Sequence, residues 1–197
     1  MRRVLAASAL LVAACGGAPS DPAPEARYFE RLSQLCNGEA YAGSLVSDDA
    51  VDADFKQASM IMGPARCDGL TVRIPFAVNE DRSRTWVITR TETGLRLKHD
   101  HRHEDGSEDV LTQYGGDSTG IGTASLQAFP VDEETRTLFI AQEIEVSTQN
   151  TWTVEIEPED MFAYQMSRPE RLFRVEFDLS TPVEAPPPPW GEAPIAQ

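Results

Sequence analysis

Basic charge is in short supply. The chain sets 17 lysines and arginines against 32 acids and carries a formal charge of -15. Phosphate backbones would be repelled, which excludes a nucleic-acid partner and electrostatic adhesion to anionic lipid. The acids are scattered, as on a solvated acidic surface. Catalytic signatures are missing too. There is no Gly-x-Ser-x-Gly elbow, no His-Glu-x-x-His, no P-loop and no dinucleotide fingerprint. The glycine-rich stretch Tyr114 to Gly122 joins strand patterns rather than a strand to a helix, so it reads as a connection and not a phosphate cradle. Nothing here reads as an enzyme. The rest is ordinary for a soluble globular protein: 41% hydrophobic, 8% aromatic and 25% charged over 197 residues, enough for one domain with tails.

The apolar run Val4 to Ala14 follows Arg2 and Arg3 and is too short to span a bilayer. It ends in Val12-Ala-Ala-Cys15, with small residues before the cysteine. This segment resembles the lipobox of bacterial lipoproteins. The resemblance implies lipidation of the Cys15 thiol and removal of residues 1–14. With Gly16 after the cysteine, it implies a lipid anchor in the outer membrane, facing the periplasm or the cell surface. Losing Arg2 and Arg3 leaves 15 basic against 32 acidic residues, a charge of -17. Residues 15–26, rich in Pro, Ala and Gly, read as a tether. In an oxidising compartment the two remaining cysteines, Cys36 and Cys67, most simply pair.

Residues 27–180 read as a single β-rich domain. The spacing of Tyr28, Leu32 and Leu35 predicts one amphipathic helix over Glu25–Cys36, closed by Asn37-Gly38. After it, short runs rich in Val, Ile, Thr, Phe and Trp predict strands at Glu39–Val46, Phe55–Met62, Leu70–Val78, Arg84–Thr91, Leu95–His103, Asp109–Tyr114, Gly122–Phe129, Thr137–Ile140, Thr151–Glu157, Phe162–Arg168 and Leu172–Asp178. Asp132-Glu-Glu-Thr135 is also able to open a short helix. About ten such strands with tight turns predict an antiparallel meander closed into a barrel, with a β-sandwich as the alternative. The pattern resembles the calycin-like barrel of lipocalins and fatty-acid-binding proteins. Arg73-Ile-Pro-Phe76, Asp81 to Trp86, Gly94 to Ser107 and Tyr114-Gly-Gly116 also resemble uncharacterised exported bacterial proteins, without implying an activity. From Thr181 the chain is a proline-rich tail, residues 181–197. Its Pro186-Pro-Pro-Pro-Trp190 favours polyproline II, and Trp190 either anchors the arm to the domain or offers it to a partner's groove.

All three histidines fall in Leu95 to Ser107. On a strand, His99, His101 and His103 continue the face of Leu95 and Leu97, which predicts that they point inward. Arg96, Lys98, Asp100 and Arg102 take the other face and should meet water. A two-residue Asp105-Gly106 turn would set His103 opposite Glu108, Arg102 opposite Asp109, His99 opposite Thr112 and Leu97 opposite Tyr114. Trp86 on the preceding strand would flank the histidines in one of two registers.

Three readings stay open. The histidines are neutral fillers bonded to Thr, Tyr and carboxylate neighbours. Or His101, His103 and Glu108 hold Zn²⁺ or Cu²⁺. Or His99, His101, His103, Glu108, Tyr114 and Trp86 line a ligand cavity. Arg82, Arg84 and Arg90 are a further focus, at the cavity mouth or paired with surface acids. The expectation is a non-enzymatic envelope protein that binds a small ligand and needs no cofactor. The alternatives are an interaction accessory of the envelope with a filled core, and a metal-binding protein.

Overall fold

The computed structural model describes residues 23–120 and 122–193. Residues 1–14, Cys15 and most of the tether lie outside the described residues. The strands are β1 (Ala40–Leu45), β2 (Met60–Met62), β3 (Arg66–Cys67), β4 (Thr71–Val78), β5 (Asp81–Thr91), β6 (Gly94–His101), β7 (Tyr114–Asp117), β8 (Leu126–Pro130), β9 (Thr151–Glu157), β10 (Met161–Arg168) and β11 (Arg171–Val183). Ten run antiparallel in the order β7-β6-β5-β4-β2-β1-β11-β10-β9-β8, and β3 pairs with β4 alone. The sheet curls into a nearly closed barrel, as the strand pattern predicts.

Period-two alternation decides which side is in. Ile74, Trp86, His99 and Tyr114 sit opposite one another across β4 to β7. On β9, Trp152, Val154 and Ile156 are buried at every second position. The seam is made at Gly116, where a Cβ would run into the Pro130 carbonyl. Beside it the Asp132 N–H donates to the Gly115 carbonyl at 3.0 Å. The Thr135 hydroxyl both accepts from Gly115 N–H (2.7 Å) and donates to Gly115 O (2.9 Å). Glycine is needed here because the two backbones approach so closely.

Helix α1 (Pro24–Ser33) closes one end of the barrel and ends three residues earlier than the spacing predicts. Tyr28, Phe29 and Leu32 are buried, and the Tyr28 hydroxyl donates to the Val154 carbonyl at 3.3 Å. The Ser33 hydroxyl donates back to the Phe29 carbonyl and so ends the helix. Cys36 is disulfide-bonded to Cys67, which ties the helix exit to β3.

Four expected strands are corrected. Thr137–Ile140 is helical, part of α2 (Glu133–Ala141). Asp132 caps it by accepting from Thr135 N–H, Glu133 and Glu134 fill its first turn, and only Thr135 and Phe139 are buried, at a helical spacing of four. Phe55–Met62 shrinks to Met60–Met62, because Asp49 caps a 3-10 segment at Ala50–Gln57. Asp109–Tyr114 is not a strand: β7 begins where that run ends and continues through Gly115 and Gly116, where a loop is expected. Gly122–Phe129 is a strand only from Leu126.

The tail is corrected as well. It is strand as far as Val183, and residues 184–193 then lie as an arm against the outside of β4 and β5. Arg82 donates to the Pro188 carbonyl (2.7 Å), and the Trp190 backbone N–H donates to the Arg82 carbonyl (3.1 Å). Pro186, Pro187 and Pro189 pack near Pro75 and Ala77. Glu192 bonds Arg66 (2.6 Å) and Arg73 (3.2 Å), and Arg73 in turn holds Asp100 (2.8 Å). The outer face of β6 therefore does not simply meet water. Asp100 is 4% exposed, and Lys98 is half-buried against Asp132 and Glu134.

Candidate functional site

At the end opposite α1 the barrel opens into a cavity of about 350 Å³. Its inner wall comes from regular strands: Phe76 on β4, Trp86 on β5, His99 on β6, Tyr114 on β7, Trp152 on β9 and Tyr164 on β10. Its mouth is built from connections. Asp52 and Phe55 come from the 3-10 segment 50–57, Phe139 from α2, Ile144 and Ser147 from residues 144–147, and Arg171 and Phe173 from the start of β11.

The inner wall is a set of packed rings. Trp86 lies parallel to Phe76 (4.8 Å between centroids) and to Tyr164 (4.5 Å). Tyr114 stacks on His99 at 4.4 Å. Trp152 leans on both His99 and Tyr114. Such offset ring contacts hold flat surfaces in place.

The hydrogen bonds fix the protonation of His99. Its Nδ1 lies 3.0 Å from the Tyr114 carbonyl, which only accepts, so Nδ1 carries the hydrogen. Its Nε2 therefore accepts from the Tyr164 hydroxyl at 2.8 Å. Burial pushes its pKa down to about 3, so the ring is neutral at ordinary pH. His101 is pushed down to about 4, by burial first and then by the nearby Arg84. Its Nε2 meets the Tyr114 hydroxyl at 3.2 Å. Burial raises the hydroxyl pKa of both Tyr114 and Tyr164.

The two cavity arginines are both engaged. Arg84 holds Asp81 at 2.6 Å. Burial opposes the charge on Asp81, but bonds from Ser83 and Arg84 outweigh it and hold the carboxyl below its usual range. Arg171 grips the buried Asp52 through both terminal nitrogens, each at 2.6 Å, and reaches Asp49 at 3.2 Å.

No protein-family model matches this chain, and neither a curated protein nor a solved structure does.

Of the residues singled out from sequence, Trp86, His99, His101 and Tyr114 come together in the cavity wall. His103 and Glu108 do not. The Asp105-Gly106 turn is wider than two residues: Arg102 bridges to Glu108, and His103 N–H donates to Ser107 O. Residues 109–113 then loop out, and the ladder resumes with His99 opposite Tyr114 and Leu97 opposite Gly116, not Thr112 and Tyr114. His103 is exposed near Asp109 (3.9 Å), and Glu108 pairs with Arg102 (3.3 Å). The set His101, His103 and Glu108 is thus not assembled for Zn²⁺ or Cu²⁺. Among the described residues no group of three His, Cys, Asp or Glu is placed to hold a metal ion.

Arg84 lines the cavity, whereas Arg82 holds the arm and Arg90 lies 5.2 Å from the Phe29 ring at the other end. Trp152 and Tyr164 were missed as wall residues. Their signal was present, since both occupy inward positions of correctly read strands. What sequence did not supply was the strand order that brings β9 and β10 across from β6.

Proposed function

We propose that this chain is a lipid-anchored envelope protein that binds a small ligand in the mouth of its barrel and does not catalyse. The observation that carries the binding reading is the open, ring-lined cavity of about 350 Å³, where an interaction accessory with a filled core would present packed side chains. The absence of catalysis rests on the histidines. Both nitrogens of His99 are engaged, and the partner of His101 is a tyrosine hydroxyl whose pKa is raised rather than lowered. The envelope address rests on Val12-Ala-Ala-Cys15 and its resemblance to a lipobox, and the Cys36–Cys67 disulfide suits an oxidising compartment.

Native mass spectrometry of protein purified from its own envelope tests both parts. A co-purifying small molecule that is lost in a Trp152→Ala variant supports the binding reading. A mature mass beginning at an acylated Cys15 supports the anchor. Bare protein together with an unmodified N-terminus would overturn the proposal.

A further inference from the structure

Building on the cavity reading above, we infer that the ligand is an uncharged, flat, ring-bearing molecule carrying a carbonyl-type acceptor, and not a carboxylate or sulfonate amphiphile.

Charge argues first. An anion entering the cavity needs an unengaged cation. Arg84 is already bonded to Asp81, and Arg171 to Asp52 and Asp49, at 2.6 to 3.2 Å. His99 and His101 stay neutral because they are buried. A cation meets the converse problem, since the one carboxylate of the lining, Asp52, is held by Arg171. An ion of either sign would lose its hydration and gain no free counter-charge, which is costly away from water.

Shape argues second. The wall is built of flat rings that line the cavity, with Phe76, Trp86 and Tyr164 packed parallel to one another and His99 packed on Tyr114. Such faces favour a planar guest. About 350 Å³ is near the small end of ligand pockets, which run roughly from 300 to 1,000 Å³, so the guest is compact. The mouth is mixed, with Phe55, Phe139 and Ile144 beside Asp52, Ser147 and Arg171. Of the seven exposed large hydrophobic side chains among the described residues, Val51, Val110, Ile140, Val146 and Leu172 are each chain neighbours of a wall residue.

One polar group sets the functional end of the guest. Tyr114 Oη and His101 Nε2 share a single hydrogen bond, and His101 Nδ1 has no partner among the described residues. If Tyr114 donates, the hydrogen of the neutral imidazole sits on Nδ1. If Nε2 donates instead, the Tyr114 hydroxyl hydrogen is left over. In either tautomer the pair has one hydrogen to spare and calls for an acceptor on the ligand. A carbonyl oxygen supplies it without charge.

Three fluorescent probes built on a naphthalene ring test this with the purified full-length protein. N-phenyl-1-naphthylamine is neutral. 8-Anilinonaphthalene-1-sulfonate has the same rings and a negative charge. 6-Propionyl-2-dimethylaminonaphthalene is neutral and carries a ketone. We expect the neutral amine to bind at least tenfold more tightly than the sulfonate, and the ketone to bind more tightly than the amine. In the doubly substituted His101→Leu/Tyr114→Phe protein the ketone should lose its advantage, so that ketone and amine bind within about twofold of each other. The comparison of amine and sulfonate needs no variant, so it stands even if the double variant misfolds. A sulfonate that binds as tightly as the neutral amine overturns the ligand class and leaves the cavity reading intact. Failure of all three probes overturns the cavity reading itself.

Discussion

Acid should destabilise this protein well before its carboxylates titrate, and His99 is the main reason. The ring is neutral in the fold, with a pKa of about 3, against about 6.5 in the unfolded chain. Between those values the unfolded state binds the proton and the folded state does not. The stability from this group is therefore complete above pH 6.5 and is lost as pH falls toward 3. At pH 5 the unfolded histidine is about 1.5 pH units below its own pKa, worth about 2 kcal/mol at 1.36 kcal/mol per unit. His101, held at about 4 and in fuller contact with solvent, adds about 1–2 kcal/mol in the same direction. A loss of about 3–4 kcal/mol is a large share of a stability of 5–15 kcal/mol. Urea unfolding followed by circular dichroism at pH 8, 7, 6 and 5 reads it directly. His99→Asn keeps a donor for the Tyr114 carbonyl and removes the titration. It should be less stable than the native protein at pH 8 and flatten the slope by about 2 kcal/mol. A native profile that is level from pH 7 to 5, or a His99→Asn profile as steep as the native one, would refute the assignment.

Three further perturbations separate the structural devices. Replacing Cys36 and Cys67 by alanine frees a loop of 31 residues and should lower stability by roughly 3–4 kcal/mol in the chain-entropy model, read as a lower urea midpoint. Gly116→Ala forces the seam open against Pro130 and should cost about 2–3 kcal/mol by thermal unfolding, a change that an alanine on an open strand surface would not produce. Asp100→Ala strips the buried acceptor from Arg73 and Arg102 and should cost about 3 kcal/mol. Amide exchange at Trp190 should speed up in the same variant, because Arg73 also holds Glu192 in the arm.

The barrel was legible because its strands alternate. Residues 151–157 and 71–78 read correctly almost to the residue, since each offers Val, Ile, Phe or Trp at every second position with turn residues on both sides. The inward turn of His99 and His101 followed from the same alternation. Two things were not legible. Thr137-Leu-Phe-Ile140 has strong strand formers, and only the cap at Asp132 and the burial of Thr135 and Phe139 decide it as helix. The register after Asp105-Gly106 was lost because residues 109–113 loop out, which moved Glu108 and His103 out of the site. The arm was open to two readings for a further reason. Its contacts with Arg66, Arg73 and Arg82 span more than a hundred residues of sequence, and no local pattern reports them.

The histidine strand also explains why the cavity wall stands where it does. Neighbouring residues His99 and Asp100 point to opposite faces of β6, and both are polar and almost wholly buried. Each must therefore be satisfied on its own side. Inside, Tyr164 and the Tyr114 carbonyl hold His99; outside, Arg73 and Arg102 hold Asp100, and the arm covers them through Glu192. The middle of β6 is thus fixed from both faces. His101, two residues on, inherits that position at the cavity edge. The mouth is different, because Phe55, Phe139 and Ser147 sit on short helical connections that pair with no strand. On the proposed binding reading, selectivity belongs to the pinned wall and entry to the connections. Changes at Tyr114 or His101 should alter which molecule binds, whereas changes at Val51 or Val146 should alter how fast it arrives and leaves.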